Sequence, residues 1–240
     1  MKNTRLNFKR NEKKYLLSPE RYEALWSELS PRLVPDEYFS STVCSVYYDS
    51  GDYELIRRSI EAPVYKEKLR VRSYGVPAPD GTVFVELKKK FKGTVYKRRV
   101  QTTAECAEAW LSGLSPAPED GQVCREIDWF LRIHEPVPKI FIACGREAYV
   151  ADGAPELRFT FDRDIRWREE ELSLCAGTHG TPLLGSGQVL MEIKIPDAAP
   201  LWLADMLSRL EVFPTGFSKY GNCYRSGLVQ KYFDGVITIA

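Results

Sequence analysis

Lys68-Leu69-Arg70-Val71-Arg72-Ser73-Tyr74 alternates polar with apolar residues from Lys68 to Arg72. In an extended chain Leu69 and Val71 share one face, and Lys68, Arg70 and Arg72 share the other. The same period of two returns downstream. In Val83-Phe84-Val85-Glu86-Leu87-Lys88, Val83, Val85 and Leu87 stand opposite Glu86 and Lys88. Leu157, Phe159 and Phe161 oppose Arg158, Thr160 and Asp162, and Val189, Met191, Ile193 and Ile195 oppose Glu192 and Lys194. Further strands are expected near Asn7–Leu17, Ser41–Tyr48, Thr94–Thr102 and Lys139–Tyr149. The sign of the polar faces is unusual. They carry Arg70 and Arg72, Lys88 with Lys90, Lys97 with Arg99, Arg158 and Lys194, against isolated carboxylates at Glu86 and Glu192.

Between the strands lie helical patterns. Ser18-Pro19 offers an N-cap followed by proline, and Tyr22, Leu25, Trp26 and Leu29 form an apolar stripe behind it. Asp52–Ile60, Ala104–Leu114, Gln122–Ile133, Pro200–Leu210 and Asn222–Tyr232 are the other expected helices. Turn-rich stretches are short, and no repeat or low-complexity linker interrupts the chain, so residues 1–240 read as a single domain. The fold class is α+β. Its expected form is an antiparallel sheet of about eight strands, closed into a barrel, with apolar residues facing flanking helices and cations facing a shared lumen.

Composition limits what the cations can serve. Among 240 residues, 44% are hydrophobic and 28% charged, yet the formal net charge is only +1. That balance argues against diffuse attraction to nucleic acid or anionic membrane, and there is no basic stripe interleaved with aromatics. Six cysteines lack zinc-site spacing and any compact disulfide framework, and no apolar leader or membrane-length run is present. A cytoplasmic protein with reduced thiols is expected. His134 and His179 read as surface or loop histidines, and Trp26, Trp110, Trp129, Trp167 and Trp202 as core.

One cationic strand is ordinarily a solvated outer face. Several in one domain are harder to explain, because neighbouring cations a few ångströms apart repel by ~1–4 kcal/mol. An extended phosphate chain would neutralise them, Arg pairing as a fork and Lys as a point charge. Glu86 then reads either as an ion-pair partner or as a functional carboxylate. Glu192 reads as an ion-pair partner or as the ligand of Mg²⁺ or Mn²⁺.

Nine short motifs, in order, carry a resemblance: FKRNEKKYLL (8–17), VYYDSGDYELI (46–56), LRVRSYG (69–75), VELKKK (85–90), VYKRRV (95–100), GREAY (145–149), ELRFTFD (156–162), LMEIKIP (190–196) and GFSKYGNCY (216–224). Together they resemble the polyphosphate polymerase domain of the vacuolar transporter chaperone (VTC) family, within the triphosphate tunnel (CYTH-like) metalloenzymes. The resemblance implies an antiparallel β-tunnel and transfer of the terminal phosphoryl group of ATP to inorganic polyphosphate, with Mn²⁺ or Mg²⁺. It implies that Lys14 orients or activates the acceptor phosphate, that Arg70, Arg72, Lys88 and Lys97 act on the transferred phosphates, and that Glu192 holds the metal. Arg146, Arg158, Ser218 and Lys219 match further phosphate contacts. Arg99 and Lys194 join them by position on the cationic faces, Arg99 rather than Arg98 because it lies two residues from Lys97, and Arg10 joins as a cation added where relatives carry an acid. Cys144 stands where the family often has tyrosine. Tunnel-fold triphosphatases typically open with ExExK, whereas Arg10-Asn11-Glu12-Lys13-Lys14 replaces the first acid with Arg10. The alternatives are an inorganic triphosphatase and a non-catalytic module binding polyphosphate or inositol phosphates. ATP and polyphosphate are the expected partners, with no nucleic acid. No direct membrane insertion is expected; tethering through a membrane partner is compatible with the sequence.

Overall fold

Where the sequence alternates, the chain runs extended, and where the apolar period lengthens it coils. The computed structural model describes residues 11–61, 64–92, 94–196 and 198–233. Strand β1 (Asn11–Leu17) leads into helix α1 (Pro19–Leu29), whose N-cap Ser18 accepts from the Arg21 amide at 3.3 Å. Then come β2 (Leu33–Asp49), α2 (Glu54–Ile60), β3 (Tyr65–Tyr74), β4 (Thr82–Phe91), β5 (Thr94–Thr103), α3 (Ala104–Leu111) and α4 (Gln122–His134). The chain continues through β6 (Val137–Ala151), β7 (Ala154–Arg168), the short β8 (Thr181–Pro182), β9 (Val189–Ile195), α5 (Leu201–Arg209) and α6 (Lys219–Phe233).

The hydrogen-bonded order is β1-β9-β7-β6-β2-β3-β4-β5, with β8 on β7. The ladders β1/β9, β9/β7, β2/β3, β3/β4 and β4/β5 are antiparallel. Among the described residues this order has two ends, β1 and β5; no ladder joins them, so the sheet is not shown closed into the expected barrel.

The chain divides into two compact units, and each has its own core. The first comprises Met1–Ser41, Gly145–Ile165 and Leu184–Phe217. In it the α1 stripe Tyr22, Leu25 and Leu29 packs with Phe159, Phe161, Met191 and Ile193. The second comprises Thr42–Cys144, Arg166–Leu183 and Ser218–Ala240. There Leu69, Val71, Val85, Leu87 and Val100 are buried with Trp110, Ile127 and Phe130 of α3 and α4. Burying those alternate side chains against helices leaves the opposite strand face for the cations. Trp129, expected in the core, is 63% exposed instead, because α4 buries Cys124, Ile127 and Phe130 and turns the intervening position outward.

Candidate functional site

Two charged clusters occupy the faces left over by core packing, one in each unit. In the second unit, register places Arg70 opposite Glu86 and Glu86 opposite Arg99 across β3, β4 and β5. Glu86 is 1% exposed. Its Oε2 accepts from Arg70 Nε at 2.8 Å and lies 4.0 Å from Arg72 Nε. Its Oε1 accepts from Lys97 Nζ at 2.9 Å and from Arg99 Nη2 at 2.6 Å. One carboxylate thus gathers four cations. Burial alone would raise the Glu86 pKa, but Arg70, Arg72 and Lys97 outweigh it and hold the group well below the carboxylate range. The Lys97 ammonium is pushed down by burial, with Glu86 opposing. Arg98, one residue off the alternation, turns to Glu126 of α4 at 3.1 Å, as its parity dictates.

Tyr47 underlies this cluster and was not singled out from the sequence. Its hydroxyl accepts from Arg70 Nη1 at 3.0 Å, and its ring stacks on Tyr220 with centroids 4.9 Å apart. Burial pushes its phenol up, but Arg70, Arg72 and Lys68 prevail and bring the pKa down to about 8. Tyr220 in turn donates at 2.7 Å to Asp49, a fully buried carboxylate that also accepts the Leu55 and Ile56 amides of α2 at 2.9 Å. Ser218 caps α6, accepting from the Gly221 amide at 3.2 Å, and it also accepts from Lys68 Nζ at 3.3 Å. Lys219 therefore sits in the first turn of a helix, at the positive end of the backbone dipole, where an anion is favoured and a cation is not. Lys88 is exposed, opposite Lys97 in the ladder and on the same face as Glu86.

In the first unit, Lys14 lies directly opposite Glu192 in the β1/β9 ladder, and Nζ meets Oε1 at 3.1 Å. Arg146 makes a two-pronged pair with the buried Asp162 at 2.6 and 2.7 Å, and its Nη2 is 3.9 Å from Glu192. Lys194 stands between Glu12 and Arg158 in register; burial pushes its ammonium down, with Glu12 and Glu192 opposing. Arg158, expected on phosphate, is ion-paired with Asp36. Arg10 lies outside the described residues.

The structure thus brings Arg70, Arg72, Lys97 and Arg99 into one cluster, and Lys14, Arg146 and Glu192 into the other. Tyr47, Lys68 and Asp162 are the contributors that alternation alone did not single out as site residues. Among the described residues no three His, Cys, Asp or Glu side chains gather as a metal cage. Glu192, buried and paired with Lys14, is the carboxylate of this cluster that could hold Mg²⁺ or Mn²⁺, since these ions take one or two carboxylates and complete their shell with substrate phosphates and water.

Comparison with known proteins bears on the family and the fold. The family model for the VTC domain matches residues 9–227. No curated protein matches the sequence. Among solved structures, a Bacillus halodurans protein provisionally assigned as an adenylate cyclase aligns with TM-score 0.55 at 14% identity, covering 86% of this chain and 92% of its own. A Hippeastrum protein, named as a candidate adenylyl cyclase and described as having a dominant triphosphatase activity, aligns with TM-score 0.51 at 16% identity, covering 90% and 95%. At such identity these two likenesses speak to the fold.

Proposed function

The chain belongs to the VTC-domain family, and from that premise we propose that it is a metal-dependent polyphosphate polymerase, moving the terminal phosphoryl group of ATP onto inorganic polyphosphate. The observation that carries this reading is the Glu86 cluster: four cations around one buried carboxylate leave a surplus of three positive charges on a strand face. A phosphate chain would neutralise that surplus, Arg pairing with it as a fork and Lys as a point charge. A single domain over residues 1–240, closed as a tunnel, belongs to the same proposal.

Phosphoryl transfer needs position and charge more than covalent help. An oxygen of the terminal acceptor phosphate attacks the γ-phosphorus of ATP, the bond to the β,γ-bridging oxygen breaks, and ADP leaves with the electron pair. Arg70, Arg72, Lys97 and Arg99 would take the non-bridging oxygens. Because Glu86 already fixes their geometry, little reorganisation is required as charge shifts during transfer. Lys88, Lys68, Ser218 and Lys219 extend the same acceptance along the chain. Lys14 would orient the acceptor, with Arg146, Arg158, Lys194 and Arg10 as further phosphate contacts. Glu192 would hold Mg²⁺ or Mn²⁺, which when bound supplies charge neutralisation to phosphate oxygens.

The test is incubation with ATP and Mn²⁺, with and without a short polyphosphate primer, following acid-stable polymer and ADP together. Polymer matched by ADP, lost in Arg72→Ala and Glu192→Ala, is the expected result. Free phosphate without polymer would mean a triphosphatase, and binding without turnover a non-catalytic module.

A further inference from the structure

The face that holds Glu86 does not end there. Following register toward the other end of β3, β4 and β5, the next rung aligns Lys68, Lys88 and Lys97, and the one after aligns Lys66 with Lys90 and Val95. These two rungs carry lysine and no carboxylate. Like charges directly opposite across a ladder oppose pairing, and the Lys66 ammonium is pushed down by burial and by Lys90 and Lys88. Lysine often guards the exposed edge of a sheet. That role is open to β5 at the end of the strand order, but Lys66, Lys68, Lys88 and Lys90 lie on β3 and β4, inside it. Lys66 also donates to Ser59 O at 3.4 Å near the end of α2. That contact uses one of three ammonium donors.

From Arg72 to Lys66 is six residues of strand, roughly 20 Å at ~3.4 Å per residue. A triphosphate, three tetrahedra joined by two shared oxygens, is shorter than that run. We propose that Lys66 and Lys90 form a distal subsite for a polyphosphate chain longer than a triphosphate, so that this end of the β3–β4–β5 face selects for chain length. The inference rests on the reading of this face as a phosphate-chain site, and it names which members of that ligand class the face prefers.

The test compares binding of tripolyphosphate and of long-chain polyphosphate, at one fixed ionic strength, to the full chain and to the double variant Lys66→Gln/Lys90→Gln. Loss of two phosphate contacts is expected to weaken long-chain binding about tenfold and to flatten its salt dependence. Tripolyphosphate affinity should stay the same, and Lys66→Arg/Lys90→Arg should keep the wild-type values. A melting curve checks that the Gln variant is folded; removing like-charge repulsion should leave its midpoint unchanged or higher. Equal wild-type affinity for both anions, or equal losses for both in the Gln variant, would overturn the subsite while leaving the phosphate reading standing. If neither anion binds the wild type, the phosphate reading itself falls and the subsite with it.

Discussion

Glu86→Gln keeps the side chain's size and removes the charge that four cations share. A buried ion pair broken on one side leaves its partners uncompensated, at a cost of about 3–5 kcal/mol. Chemical denaturation should read that loss, and added polyphosphate should restore more stability to the variant than to wild type, because the anion replaces the missing carboxylate. The sign with pH follows from the depressed Glu86 pKa. The wild-type contribution is complete above the ordinary carboxylate value of about 4 and is lost as pH falls through the lower folded-state value. Tyr47 acts at the other end of the scale. With its phenol brought down to about 8, it ionises in mild base and cancels one positive charge beside Arg70. Anion affinity should therefore drop as pH rises through about 8, by a step that Tyr47→Phe removes, while a tyrosinate absorbance band appears in wild type over the same range. The same depression adds stability progressively between about pH 8 and the unfolded phenol's value near 10. A phosphate affinity profile identical in wild type and Tyr47→Phe would remove Tyr47 from the site.

At the scale of elements, the strands facing helices on one side and cations on the other were legible, because alternation at Leu69/Arg70/Val71/Arg72 and Val85/Glu86/Leu87 records which face is buried. The same rule sorted Arg99 from Arg98. It failed in β2 for two reasons. Residues Val43–Asp49 are buried on both faces, so no alternation marks Tyr47 as lying on the cationic side. The first half, Leu33–Ser40, contains Pro35, Asp36 and Glu37 and reads as loop, yet it continues the strand. Which strand neighbours which is also absent from local pattern: β1 pairs with β9, some 180 residues away, and only that ladder sets Lys14 against Glu192. Helix α6 was expected only from Asn222, yet it begins at Lys219, and Ser218, read from the sequence as a phosphate contact, is also its cap. Ser218→Ala should destabilise by about 1 kcal/mol, the usual value of a lost N-cap, which lowers the midpoint by about 2–4 °C in a chain of this size. It also removes the oxygen that accepts from Lys68 Nζ. Phosphate binding should weaken as well, in a variant that remains folded, whereas a purely structural cap would change only the midpoint.

For the whole molecule, near-neutrality is the informative quantity. With a formal net charge of +1, the chain has little long-range attraction for a polyanion, so any affinity must arise where cations crowd on a strand face. Each unit has a separate apolar core, and the Glu86 cluster belongs entirely to the second. A ligand held there stabilises the folded form by mass action, about 2.7 kcal/mol at a free concentration one hundred times its Kd. Long-chain polyphosphate should accordingly raise the melting transition that reports the second unit by roughly 5–10 °C at low ionic strength. Most of that shift should vanish in 1 M salt, where the Debye length falls to about 3 Å and partly exposed cations such as Lys97 and Lys88 are screened. The residue that persists measures the buried share, Arg70 and Arg72, and should be the part that Arg72→Ala abolishes. A shift that salt leaves intact would place the anion on something other than this charged face, and a shift equally large in Arg72→Ala would place it away from the Glu86 cluster.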